Sequence, residues 1–206
     1  MAAAEQLHGV LYSAPEELRQ PLLGLKTKTL VRLCAAMRPG PLTGTTAATK
    51  TSLRTLARRW QQLQAELDQL DGQLQALVTA VAPTLLALPG VGIDTAGQLL
   101  VTAGDNSQRL RSEAAFAHLC GTAPIPASSG RTDRHRLNRA GDRHANHALW
   151  RIALVRMHCH PPTRAYVERR TNQGLSKLDI LRCLKRYIAR EIYPHLTSPP
   201  PAACPK

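Results

Sequence analysis

Between Leu53 and Val81 apolar side chains return with a fixed step. Leu53, Leu56, Trp60, Leu63, Leu67, Leu70, Leu74, Leu77 and Val81 alternate intervals of three and four. Residues three and four apart share a face only in a helix, so this stretch cannot be a strand. A mean step of about 3.5 residues is the a/d seam of a coiled coil or helical hairpin. The intervening Gln, Arg, Asp and Glu residues form a solvated face. Gly72 is the weak point, costing about 1 kcal/mol against alanine in a helix. The seam either packs on its own domain or pairs with a second chain.

The rest of the chain follows that lead. Of its 206 residues 43% are apolar and only 3% aromatic, so the core is built from Leu, Ala, Val and Ile. Strands draw on aromatic and β-branched residues, and their scarcity favours packed helices. We expect an all-α protein: residues 1–46 as short helices with a loose end, a coiled-coil helix over 47–82, a compact helical domain over 83–195, and a proline-rich, disordered tail over 196–206. In the last helix Ile180, Leu184, Tyr187, Ile188 and Ile192 are expected to face inward. Lys177, Arg182, Lys185, Arg186 and Arg190 are expected to face outward.

The formal charge is +13. From Arg131 to Arg190 there are fifteen Lys and Arg against four Asp and Glu, so nearly all the excess lies there. Such a balance implies a polyanionic partner, with nucleic acid the first candidate. The five cysteines are widely spaced with no CxxC, which suits a reducing cytoplasm rather than a disulfide framework. No signal-peptide pattern and no bilayer-length apolar run occur, so no membrane partner is expected.

Leu85 to Leu100 reads as helix, glycine turn, helix. Gly90, Val91 and Gly92 form the turn. Glycines there let the backbone approach a phosphate, with the amides of the next helix facing the anion. This is the pattern of a helix-hairpin-helix; a plain αα-hairpin with a glycine turn has the same outline.

Pro124 to Arg143 holds Ser128, Ser129 and Gly130 in a proline-flanked loop, followed by Arg131, Arg134, His135, Arg136, Arg139 and Arg143. Guanidinium groups match phosphate oxygens with a planar fork of donors. Their field also favours an alkoxide and the charge that builds on phosphorus. The loop therefore either grips nucleic acid without chemistry or carries a nucleophile. His144, His147, His158, Cys159 and His160 lack zinc-site spacing. Asp133, Asp142 and Asp179 lie beside basic residues and are read as orienting arginines. No Walker loop or Rossmann fingerprint occurs. We expect no metal or cofactor on this chain.

Several spaced motifs occur in the order of one family. They are Leu88–Gly92, Ala103–Asp105, Phe116–Pro126, Ser129–Thr132, Gly141–Leu149 and Arg182–Tyr187. From about Thr46 to Tyr193 the chain resembles the C-terminal half of insertion sequence 110 family transposases, the bridge-RNA-guided recombinases. The resemblance implies a DNA transposase domain, bacterial, cytoplasmic and nucleoid-associated. It implies a serine that attacks DNA and becomes covalently linked to it, and that serine matches Ser129. Arg131, Arg134, Arg136, Arg139 and Arg143 would hold phosphates, and Gly90, Val91 and Gly92 would contact the backbone. Family members carry an N-terminal RNase-H-like domain whose DEDD carboxylates bind Mg2+, and they delegate recognition of DNA to a structured guide RNA. No such strands or carboxylates are read here, so the chain alone is expected to be inactive. The partners implied are DNA, a guide RNA, and a second copy or full-length transposase joined through the coiled coil. The other reading is a non-catalytic binding and dimerisation fragment that modulates an intact transposase.

Overall fold

A computed structural model of the chain describes residues 2–104, 110–128, 131 and 135–197. These residues are mostly helical, with one small two-stranded sheet. The chain divides into two compact units, Met1–Gly72 and Gln73–Lys206. The division falls inside the longest helix, because the apolar residues at its two ends belong to different cores.

In the first unit, helix α1 (Ala2–Tyr12), the single turn α2 (Glu16–Arg19), a 3-10 turn (Gln20–Leu22) and α3 (Thr27–Ala35) precede α4 (Thr45–Val81). Leu7 and Leu11 repeat at i, i+4 on α1, and Leu30, Val31 and Cys34 share a face of α3. These residues, with Leu22, Leu53 and Ala57, form one buried cluster that Leu56 and Trp60 flank. Each fully buried leucine contributes about 2 kcal/mol of transfer free energy. Residues 1–46 are thus more than short helices with a loose end: they have a core of their own, closed by the first turns of α4. That core takes up Leu53, Leu56 and Trp60 from the seam. Leu63, Leu67 and Leu70, further along it, are 42%, 53% and 59% exposed.

The second unit contains the last turns of α4, then α5 (Pro83–Leu86), α6 (Ile93–Ala103), α7 (Glu113–Leu119), α8 (Arg143–Cys159), α9 (Pro161–Asn172) and α10 (Lys177–Thr197). Helix α8 is central and packs against α6, α9 and α10. Its Ala145, Ala148, Leu149, Ile152 and Ala153 are buried. Around them lie Leu85, Leu99, Phe116, Ile180, Leu184, Ile188 and Ile192. Small alanines on α8 let neighbouring helices approach closely enough to exclude water from this aromatic-poor core. Gly97 performs the same service for α4, since a Cβ there would meet Leu74 Cδ1 at 3.3 Å.

Tyr187 does not join the buried stripe of α10; it is 51% exposed. At about 100° per residue it lies at the edge of that stripe, about 60° round the helix from Leu184 and about 100° from Ile188. It meets Tyr166 of α9 edge-on instead, with ring centroids 5.8 Å apart. Between α7 and α8 a two-residue ribbon forms, β1 (Ile125–Pro126) against β2 (His135–Arg136), antiparallel, with Ile125 opposite Arg136. No helix among the described residues is long and apolar enough to cross a membrane.

Candidate nucleic-acid interface

The basic loop between α7 and α8 is held at its stem by backbone and amide groups. Ser112 caps α7, its Oγ accepting from the Ala115 amide at 3.2 Å. Gly121 ends that helix with φ +64°, a conformation costly for residues bearing a Cβ. The Thr122 and Ala123 amides then both donate to Ala117 O, satisfying a carbonyl at the helix end. On the returning side, the Asp142 amide donates to Leu119 O at 2.7 Å. Gly141 lies against Gly121: a Cβ on it would be driven into the Gly121 amide and Cα and lie 2.9 Å from the Cys120 carbonyl carbon. Asn138 Nδ2 donates to His118 O at 3.1 Å, and the Ala140 amide donates to Asn138 Oδ1 at 3.0 Å. Asn146 Nδ2 reaches from α8 to Cys120 O at 2.8 Å and Gly121 O at 3.2 Å.

Asp142 caps α8. Its Oδ1 accepts from the His144 and Ala145 amides at 2.8 and 3.4 Å, and Thr102 Oγ1 donates to Oδ2 at 2.7 Å. Burial pushes this carboxyl up, but the Thr102 hydroxyl and the two amides outweigh it and hold the group below its ordinary value. Asp142 therefore caps a helix, where the sequence reading has it orienting an arginine. Asp179 does pair with an arginine, Arg182 Nη1 at 2.5 Å. Beside the stem, the Cys120 thiol is pushed up to about 12 by burial and then by the Asp142 charge, so it is inert as a nucleophile.

Two grooves share this stem. One, of about 580 Å³, is lined by Arg139, Arg143, Asn146, His147, Trp150, Arg182 and Lys185 together with Leu137, Leu178 and Leu181. The other, of about 480 Å³, adds Arg136, Arg186, Arg190 and Tyr187 and runs along α10. Lys185 lies between them, and its Nζ donates to Asn146 Oδ1 at 2.8 Å. Burial, and then the Arg182 charge, press this ammonium below its ordinary value. A phosphate arriving there would relieve that pressure. Arg186 pairs with Glu113, to which Arg190 Nε also comes within 3.8 Å. Among the described residues Arg136, Arg139 and Arg143 have no carboxylate partner, and all three are exposed.

The glycine turn between α5 and α6 is built differently. Gly90 has φ +73°, and a Cβ on it would lie 3.2 Å from Arg156 Cγ and 3.3 Å from Ile152 O. Its missing side chain lets α8 approach. The Gly92 amide donates to Thr95 Oγ1 at 3.0 Å and the Val91 amide to Leu88 O at 3.2 Å. Arg156, 5% exposed, donates from Nε to Pro89 O at 2.7 Å and pairs with Glu191 through both terminal nitrogens, at 2.5 and 3.2 Å. Gly90, Val91 and Gly92 line neither groove. Along α8, the thirteen steps from Arg143 to Arg156 span about 20 Å at 1.5 Å each.

Of the residues singled out in the sequence, Arg136, Arg139 and Arg143 come together at the grooves. Arg131 is exposed and lines neither groove. Ser129 and Arg134 lie outside the described residues, as does Asp133. Asn138, Asn146 and Lys185 were missed as site residues. Arg182, Lys185 and Arg186 face the grooves from α10, with Lys185 and Arg186 half-buried and not outward. Among the described residues no group of three His, Cys, Asp or Glu side chains converges as a metal site would. His147 stacks on Trp150, and His160 Nδ1 meets Thr163 Oγ1 at 2.8 Å.

Residues 82–168, from the end of α4 through the loop into α9, match the model of the Transposase IS116/IS110/IS902 family. An uncharacterized 43.6 kDa protein of insertion element IS110 from Streptomyces coelicolor is 36% identical over 121 residues, 57% of this chain and 29% of that protein. An uncharacterized 42 kDa protein of insertion element IS900 from Mycobacterium paratuberculosis is 26% identical over 139 residues, 66% of this chain and 35% of that protein. The chain thus aligns with 29% and 35% of the lengths of these curated relatives. The segment that builds the loop, its stem and the central helix beneath them is the part of the chain that matches the Transposase IS116/IS110/IS902 family.

Proposed function

We propose that this chain supplies the DNA-gripping, serine-bearing part of an insertion-element transposase. The observation that carries the reading is the pinned basic loop within the family-matched segment, with Arg136, Arg139 and Arg143 beside it and without a carboxylate partner among the described residues. In this reading Arg131, Arg134, Arg136, Arg139 and Arg143 hold phosphates around the scissile bond. The Ser129 hydroxyl attacks phosphorus, forming an Oγ–P bond as the P–O bond of the strand breaks. The proton that the serine gives up is balanced by the one the leaving oxygen takes, and the phosphoserine ester preserves the energy of the bond for a later strand to reclaim.

In this reading Mg2+ would be held by the carboxylates of a DEDD domain and would polarise the scissile phosphate. The RNase-H-like DEDD domain and the structured guide RNA are partners from outside these residues. The exposed leucines Leu63, Leu67 and Leu70 of α4 support pairing with a second copy or a full-length transposase. Gly90, Val91 and Gly92 act in this reading through the placement of α6 more than through free amides.

The test is a denaturing gel of labelled DNA. This chain alone gives no covalent adduct. With a DEDD domain and guide RNA from a close relative an adduct appears, and Ser129→Ala abolishes it while Ser128→Ala leaves most of it. An adduct that survives Ser129→Ala removes the serine from the mechanism. Nucleic-acid binding without any adduct even when the DEDD domain and guide RNA are supplied favours the second reading, a binding and dimerisation fragment.

A further inference from the structure

The groove under the loop stem contains an element that a phosphate grip does not need. Trp150 lines it and is 38% exposed. One helical turn away, His147 lies against the indole, ring centroids 5.3 Å apart and planes 29° from parallel. An i, i+3 stack of this kind fixes the indole rotamer at little entropic cost. The floor beside it is apolar, made by Leu178 and Leu181. Four cations rim it, Arg139, Arg143, Arg182 and Lys185, and no carboxylate occurs among the described lining residues. A flat aromatic surface, an apolar floor and a cationic rim suit a planar apolar ring joined to an anion.

We propose that this groove holds one unstacked nucleotide of a single-stranded segment, its base against Trp150 and its phosphate among Arg139, Arg143, Arg182 and Lys185. The inference rests on the nucleic-acid reading above and narrows it. A base inside a duplex has both faces covered by its neighbours and cannot reach a side chain, so only an unpaired or extruded base qualifies. The volume of about 580 Å³ lies in the usual range for a small-molecule site. Selectivity among bases should be low. The two amides nearby, Asn138 and Asn146, hold protein carbonyls, and Asn146 also accepts from Lys185. Stacking is tolerant of base identity because every base has a π-face. A DNA or an RNA strand would satisfy this chemistry.

The experiment uses the full chain carrying Trp60→Phe, which leaves Trp150 as its single indole, since the sequence has only these two tryptophans. Its fluorescence is titrated at low salt with a twelve-residue oligothymidylate, the oligouridylate, the matching duplex, and an abasic deoxyribose-phosphate strand of equal length. Binding of each is followed in parallel by anisotropy. Either pyrimidine strand quenches Trp150, and the ratio of their affinities assigns the source. Duplex and abasic strand bind without quenching. Trp150→Leu weakens single-strand binding about tenfold, the scale of one lost base stack. It leaves duplex binding unchanged, and Trp150→Tyr recovers most of the loss. Equal quenching by the abasic strand, or a Trp150→Leu variant with full single-strand affinity, overturns the proposal. Single-strand binding with a silent Trp150 overturns it too, while sparing the reading above. Absence of all binding overturns both.

Discussion

Helix α8 carries an arginine at each end, and the two have opposite surroundings. Arg143, its first residue, is exposed and without a carboxylate partner among the described residues. Arg156, in its last turn, is 5% exposed and bonded to Glu191 and to the Pro89 carbonyl. The nearby glycines differ in the same way. Gly141 and Gly121 close a loop whose cations face open grooves, whereas Gly90 lets two helices touch and the Val91 and Gly92 amides bond within the protein. In a basic protein, arginine plus glycine does not mark a ligand site. Charge left unpaired at the surface does, because only that charge still gains from an arriving phosphate.

Four substitutions sharpen or break this contrast. The largest effect is expected from Gly141→Ala. Its Cβ meets backbone, which cannot move aside as a side chain would, so overpacking should cost about 3 kcal/mol. Thermal denaturation followed by circular dichroism would show it; a variant with an unchanged midpoint would mean that the stem is open in solution. Next comes a pair. Arg156→Ala leaves Glu191 and the Pro89 carbonyl without their partner. Because Glu191 is itself 40% exposed, the loss should be about 2 kcal/mol, below that of a fully buried pair. Arg139→Ala and Arg143→Ala should each change stability by less than about 0.5 kcal/mol. Each should instead flatten the dependence of log affinity on log salt by about one unit. If Arg156→Ala also flattened that slope, with stability intact, the two ends would be alike after all.

The smallest effect concerns Asp142. Its folded carboxyl is held below the ordinary 3.8. The stabilisation is therefore present above that value and is lost as pH falls through the folded one. Asn keeps the capping geometry without the charge. Between pH 6 and pH 3 (values chosen for the experiment) the parent should lose about 1 kcal/mol more than Asp142→Asn, on the scale of a helix cap. Parallel stability curves for the two proteins would show that the Asp142 charge is idle.

Much of this architecture is legible in the chain itself. The three-and-four spacing from Leu53 to Val81 demands a helix, and one helix covers it. Ser112 and Gly121 punctuate α7 as their chemistry predicts. What the seam cannot reveal is where its partners lie. Leu53 enters one core and Leu74 packs against another, a matter of tertiary packing and not of local spacing. The site was half legible. Arginines stand out in a sequence, so Arg136, Arg139 and Arg143 could be picked directly. Asn146 and Lys185 could not, because Asn146 bonds a carbonyl 26 residues away and Lys185 bonds Asn146 across 39. Trp150, read alone, looks like any other apolar member of a helix. Its stacking with His147 requires knowing which face of α8 lines the groove.

The contact of Gly141 with Gly121 has one more consequence. A segment whose two ends are fastened to each other, backbone to backbone, is thermodynamically insulated from the length of what lies between. Doubling the enclosed chain would add only about 0.6 kcal/mol of closure entropy. The helices below would scarcely register the change. The stretch from Pro124 to Leu137 is therefore a cassette: its residues can be exchanged, lengthened or grafted while its anchorage stays the same. Descendants of this domain could alter what the loop does to nucleic acid without first having to rebuild the scaffold that holds it.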